Sequence, residues 1–211
     1  GLFMSLATIV SAATLARAFG GYLQSASGLN IGIGAIIVIL AFGLLASWGI
    51  AESAKVFAAH TIIEIIGLLI IVWFGRSFLA TAVSHPGPMF DISAVGFGGL
   101  MSGGFLAFYA YIGIEDMVHL SEETKKSRFT MPLAIALAVI ISTLLYFLIS
   151  VVAINAIPVN ELQNSSAPLS LVYDKITDSP GWIIILIALT ASAGGVLAHI
   201  ISGSRLLYGM A

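Results

Sequence analysis

The 211-residue chain has no cysteine, and charged residues are nearly as scarce. Without cysteine there is no disulfide framework, no Cys-bearing zinc site and no thiol nucleophile. Asp, Glu, Lys and Arg make up 9% of the chain, against about 25% in an ordinary soluble domain. Ten acids against eight bases leave a formal net charge of −2, with no long run of either sign. A nucleic-acid binder needs a basic stripe to neutralise phosphates, so that class is excluded. Disorder is excluded as well, because 59% of the residues are hydrophobic and such a chain has ample apolar surface to bury. The apolar/polar alternation of a transmembrane β-barrel is also missing. What the chain does have is long apolar runs, and these predict an all-α polytopic protein of the lipid bilayer.

A helix rising 1.5 Å per residue needs about 20 apolar residues to cross roughly 30 Å of hydrocarbon. Six such runs occur, and the sequence predicts spans near 2–23, 30–50, 54–75, 94–119, 132–154 and 181–205, all in one transmembrane domain covering 1–211. The first is not a signal peptide, since it lacks a basic leading region and carries Arg17 near its far end. Two longer connections, 76–93 and 155–180, are rich in Pro, Gly, Asn and Ser and read as loops. Six spans place both chain ends on one side. That side holds Lys55, Lys125, Lys126, Arg128 and Arg205, and the other holds only Arg76 and Lys175. The basic side, with the 120–131 loop and both ends, is therefore expected to be cytoplasmic.

Ionisable groups at membrane depth are costly and each requires an account. Glu64 lies nine residues beyond Lys55, roughly 14 Å along a helix and so near the midplane. His60 and Gly67 share its helical face. A buried bond between helices and a functional carboxyl both fit Glu64. Arg17 can reach outward to the interface or pair with an acid, which favours a structural role. His199 lies on one face with Ser192, Gly195 and Ser202, where a hydrogen-bonded packing histidine is the simpler reading. Ser142, Tyr146 and Ser150 give the fifth span a similar polar stripe.

The fourth span is the most informative. It contains Gly96, Gly98, Gly99, Gly103, Gly104 and Gly113, and ends in Tyr109-Ala110-Tyr111-Ile112-Gly113-Ile114-Glu115-Asp116. Gly99 and Gly103 form a GxxxG pair, ordinarily a helix-packing device. Adjacent acids and glycines oppose a straight apolar rod. A break here would free backbone groups near mid-membrane, tolerable only against a cavity or ligand, as in the discontinuous helices of transporters. A plain packing helix whose acids sit at the interface fits these residues equally well.

The segment Phe108–Asp116, followed by Glu122-Glu123-Thr124-Lys125-Lys126 and Met131-Pro132, resembles the sixth-helix signature of amino-acid permeases of the amino acid–polyamine–organocation superfamily. Ser127 and Arg128 stand where that family usually has Asn-Pro, and Ile114 where Phe is commonest. Ala16-Arg17-Ala18-Phe19, Glu52-Ser53-Ala54-Lys55 and Ser204–Ala211 are similar to elements of its third, fifth and eighth helices. The resemblance implies that the six spans are helices three to eight of a twelve-helix carrier with a leucine-transporter-type core of two inverted repeats. On that expectation the sequence is a fragment. It also implies roles for individual residues. Tyr109 matches an aromatic gate over the substrate, and Ala110, Tyr111, Ile112, Gly113 and Ile114 match the unwound stretch that binds it. Glu115 matches an acidic position tied to gating and proton coupling. Glu64 stands where some proton-coupled members carry a lysine. Thr190 and Ser192 fall near hydroxyls that bind sodium in sodium-coupled relatives.

The function implied is secondary active transport of an amino acid or small amine by alternating access, driven by protons or exchange. A proton is expected ahead of sodium as the coupling ion, with no cofactor or resident metal and no enzymatic activity, in the plasma membrane. A carboxyl at mid-membrane loses hydration, which favours its neutral form and lets it take up a proton, so Glu64 or Glu115 could carry the coupling proton. Two rivals fare worse. An intramembrane serine hydrolase would need a serine near His199 with oxyanion donors, and Ser102-Gly103-Gly104 lacks the G-x-S-G element. A channel would need polar rings or filter loops, and none is evident. Asn164-Ser165-Ser166 has the form of a glycosylation sequon on the expected outer side.

Overall fold

A computed structural model describes residues 2–47, 54–84, 92–111 and 127–209, the side chains of 54–60, 92–95 and 127 excepted. All regular structure among these residues is helical. The helices are α1 (Leu2–Ser27), α2 (Ile31–Ser47), α3 (Ala54–Phe74), α4 (Arg76–Ser84), α5 (Ile92–Tyr109), α6 (Ser127–Ala156), α7 (Val159–Asn164), α8 (Pro168–Thr177) and α9 (Trp182–Tyr208). Three of them, α1, α6 and α9, are each long and apolar enough to cross a membrane. Counting α3 with α4 as one broken span makes four, and α2 is a shorter apolar helix.

The chain divides into two compact units, Gly1–Gly75 with Ala153–Ala211, and Arg76–Val152. In the first, α1 and α9 pack side by side, α2 lies against both, and α3 lies against α9. The short α8 packs on α3 and α9, with α7 beside it. The turn between α1 and α2 follows from its residues. Gly28 takes φ +75°, the left-handed conformation that ends a helix. The Asn30 side chain then accepts the Gly32 backbone N–H at 2.8 Å and starts α2. The two backbones meet at glycines: a Cβ on Gly34 would stand 3.0 Å from Gly20 Cα, and one on Gly20 would run into the Ile31 carbonyl oxygen. Ala16, Ala35, Val38, Ala193 and Val196 form the core where α1, α2 and α9 meet.

The burial pattern of α1 is the reverse of a water-soluble helix. Ser5, Thr8 and Ser11 are buried, while Phe3 is 86% exposed and Ile9 and Val10 are more than half exposed. Small hydroxyl residues inside and large apolar ones outside is the arrangement expected where the surroundings are lipid. Most hydroxyls on these helices bond back to their own turn. Thr8 Oγ1 donates to Met4 O at 2.8 Å, Thr14 Oγ1 to Val10 O at 2.8 Å and Ser192 Oγ to Ala188 O at 2.6 Å.

The 155–180 connection differs from its sequence reading, because it folds into α7 and α8. Pro158 is the N-cap of α7 and Pro168 the first residue of α8. Proline is favoured at these positions because a first-turn N–H has no partner to lose. Asp178, at φ 51°, closes α8, and Gly181 leads into α9. A Cβ on Gly181 would lie 2.5 Å from Ser170 Oγ, so the turn needs glycine.

In the second unit, α4 occupies the first half of the 76–93 connection that the sequence assigns to loop. Within α5, Gly96 leaves helical geometry at φ 68°, ψ 168°. Of the GxxxG pair, a Cβ on Gly103 would meet no atom within 4 Å among the described residues. The helix ends at Tyr109, and Ala110 and Tyr111 form a turn. The expected remainder of the fourth span, 112–119, lies outside the described residues, as does the 120–126 stretch. Helix α6 begins five residues ahead of Pro132, which it absorbs near its start.

Candidate functional site

In the first unit a cavity of about 330 Å³ opens between α1, α3, α8 and α9. Among the described residues its walls are apolar apart from three side chains, Glu64 on α3, Tyr22 on α1 and Ser192 on α9. Glu64 is half-buried here and has a partner within the chain. Gly67, one turn further along α3, lets the helix approach α9 closely, since a Cβ there would lie 2.9 Å from Ile187 Cδ1. Leu15 and Leu169 close the remaining sides. Tyr22 is set by a backbone hydrogen bond with Leu169. Among the described residues the arrangement is one carboxyl in a mostly apolar recess, with two hydroxyls within the same walls.

Ser192 and Thr190 are not brought together. Two residues apart on α9, they point about 200° apart around the helix. Ser192 is buried and lines the cavity, whereas Thr190 is exposed and gives its hydroxyl to Ile187 O at 2.9 Å. His199 is half-buried further along α9, and Arg17 is exposed on α1. The side chain of His60 lies outside the described residues. No group of three or more metal-ligating side chains occurs among the described residues.

In the second unit, the turn that ends α5 is fastened to α6. Tyr111 Oη lies 2.6 Å from Thr143 Oγ1. Thr143 gives its own hydrogen to Val139 O at 2.7 Å, so Tyr111 is the donor. Tyr146 Oη donates to Ala110 O at 3.5 Å, and the Tyr111 and Tyr146 rings meet edge to face at 5.8 Å. Two residues of the expected substrate stretch are thus held by α6, through Thr143 and through Tyr146 of its polar stripe. Tyr109, half-buried, precedes them. Ile112, Gly113, Ile114 and Glu115 lie outside the described residues. Replacing Tyr111 with Phe should lower stability by about 0.5–1.5 kcal/mol, the worth of one hydrogen bond. Thermal unfolding of the purified protein in detergent checks this. An unchanged midpoint would mean the bond does not hold the turn.

Of the residues that line this cavity, the sequence singles out Glu64 as a membrane-depth acid, Gly67 on its face and Ser192 on a polar stripe, but not Tyr22 or Leu15. Leu15 and Tyr22 are seven residues apart, two turns along one helical face, and that spacing was the available signal.

The whole chain, residues 1–211, matches the family model described as amino acid permease. It is 29% identical to the vacuolar cationic amino acid transporter 4 of Arabidopsis thaliana, over 84% of this chain and 30% of that protein. It is 28% identical to the branched-chain amino acid permease BcaP of Bacillus subtilis, over 76% of this chain and 33% of that protein. It is 30% identical to the human cationic amino acid transporter 4, over 96% of this chain and 35% of that protein. The chain thus spans about a third of the length of these relatives. These names describe transporters and permeases rather than enzymes. An all-helical set of described residues, apolar faces turned outward and a match along its full length agree: the chain belongs to the amino acid permease family.

Proposed function

We propose that this permease is a secondary carrier that moves an amino acid or small amine across a membrane by alternating access. The observation that carries the reading is Glu64, a carboxyl in a mostly apolar cavity of a chain from this family. Such a carboxyl can bind and release a proton as its access to water changes sides, so Glu64 serves as the coupling group, with Glu115 as a second acid for gating. The stretch Tyr109–Ile114 holds the substrate, its backbone groups binding the charged ends of the amino acid. Relatives named for cationic and for branched-chain amino acids support an amino acid as cargo and leave the side chain open. A proton is the coupling ion of this proposal. Ser192 alone lines the cavity, and the separation of Thr190 from it weakens a paired sodium site. Six spans, set in a leucine-transporter-type core of inverted repeats, and a plasma-membrane location with the 120–131 loop in the cytoplasm complete the reading.

Counterflow tests it. Proteoliposomes of the permease preloaded with unlabelled arginine or leucine should take up the labelled amino acid several-fold faster than empty ones. A carrier is accelerated by substrate on the far side, whereas a channel is not. Absence of acceleration with both amino acids would overturn the proposal.

A further inference from the structure

Ser11 is 2% exposed, and its hydroxyl oxygen has no hydrogen-bond partner among the described residues. Its neighbour on the buried face, Thr8, returns its hydroxyl to its own helix, so the orphan is particular to Ser11. Buried polar atoms are ordinarily satisfied, and an exception asks for an explanation.

The packing of α1 on α9 shows what stands opposite. A Cβ on Gly203 would meet Thr8 Cγ2 at 3.2 Å, and one on Gly195 would meet Leu15 Cδ1 at 2.8 Å. The helices therefore run antiparallel, and Ser11, midway between Thr8 and Leu15, falls level with His199, midway between Gly195 and Gly203. Residues four apart share a helical face, so His199 lies on the α9 face that meets α1. Along that face Ser192 lines the Glu64 cavity, Gly195 is covered by Leu15, His199 stands level with Ser11, and Ser202 and Arg205 follow. His199 and Ser192 are seven residues apart, roughly 10 Å along the axis.

We propose that Ser11 and His199 form a proton-transfer station on the α1–α9 seam, which supplies Glu64 from the Arg205 end of α9. This rests on the reading of Glu64 as the coupling group. The imidazole takes a proton on one ring nitrogen from a hydronium ion, which is left as water, and releases the proton of the other, through water, to the Glu64 carboxylate. It is left neutral as the opposite tautomer, so one proton moves and no electrons do. The two side chains do not bond in this structure; turning the ring toward Ser11 lets its hydroxyl, which both donates and accepts, bond the imidazole in either tautomer. Leu15 seated on Gly195 stands between station and cavity, and its movement opens the passage. Ionisable neighbours are few. Helix α2 has none, Arg17 on α1 is exposed, and those of α8 sit by the opposite end of α9. Helix α3 brings Glu64 at the cavity, with Lys55 and His60 nearer its start.

The test uses the permease in proteoliposomes. Uptake driven by a gradient of one pH unit is divided by counterflow at equal pH, which needs no net proton. His199→Gln keeps size and hydrogen bonding but cannot shuttle a proton, and should lower this ratio about tenfold; His199→Ala should regain it with added imidazole. Ser11→Ala should lower it several-fold. A ratio kept in His199→Gln while Glu64→Gln loses it would overturn the station and leave Glu64 as the coupling group. A ratio kept in Glu64→Gln would overturn both. Should His199→Ala fail to fold, His199→Gln decides alone.

Discussion

Replacing Glu64 with glutamine is expected to abolish proton-driven accumulation of the amino acid. An inward gradient of one pH unit is worth about 1.4 kcal/mol per proton, which one coupled proton converts to a tenfold concentration ratio. With Gln in place the side chain keeps its volume and hydrogen-bonding capacity but has no proton to carry. The steady-state ratio should therefore fall from about ten to about one. Accumulation of labelled substrate in proteoliposomes with an imposed gradient measures it directly. Among the described residues Glu64 is the only carboxyl in the cavity wall, so no other acid described there can take over. A variant that still accumulates tenfold would move the coupling site elsewhere, Glu115 being the next to examine.

The second large effect is expected from Gly20→Ala. Glycine in a helix interior is less favourable than alanine by about 1 kcal/mol, so propensity alone predicts a more stable protein. The contact predicts the opposite. The added Cβ would run into the Ile31 carbonyl oxygen, which belongs to backbone and cannot rotate away. Overpacking of this kind costs about 1–3 kcal/mol, and relieving it means prising α2 from α1. Roughly 2–4 °C of melting temperature is lost per kcal/mol in a protein of this size. Gly43→Ala is the comparison, because nothing lies within 4 Å of a Cβ there, and it should be neutral or stabilising. If both variants melted at the same temperature, the close approach of the two backbones would not matter to the fold.

Long apolar helices were the most legible part of the sequence. Runs placed at 2–23, 54–75 and 181–205 are helices at Leu2–Ser27, Ala54–Phe74 and Trp182–Tyr208. Their ends shift by a few residues because apolar runs report lipid contact, whereas a helix end is set by caps such as Gly28. Helices α4, α7 and α8 were not legible. Short and rich in Ser, Asn and Pro, they carry no apolar run, and Pro158 and Pro168 look like breakers until their positions at helix starts are known. The carboxyl of the site was readable because an acid inside an apolar run is conspicuous. Tyr22 and Leu15 were not, since each is ordinary in a membrane helix and gains meaning only from what stands across from it. The pairing of Thr190 with Ser192 came from family likeness, and helix geometry turns the two apart.

The hydroxyls that bond back to their own turn bear on the order of assembly. Helix α1 is synthesised long before α9, its main packing partner, and must wait in lipid for it. A hydroxyl that needed a partner on another helix would spend that interval unsatisfied in hydrocarbon. Thr8, Thr14 and Ser192 avoid this because each carries its acceptor, Met4, Val10 or Ala188, one turn back on its own helix. These three hydroxyls, unlike Ser11, are thus satisfied before the helices meet, and close packing of small residues does most to draw the two together.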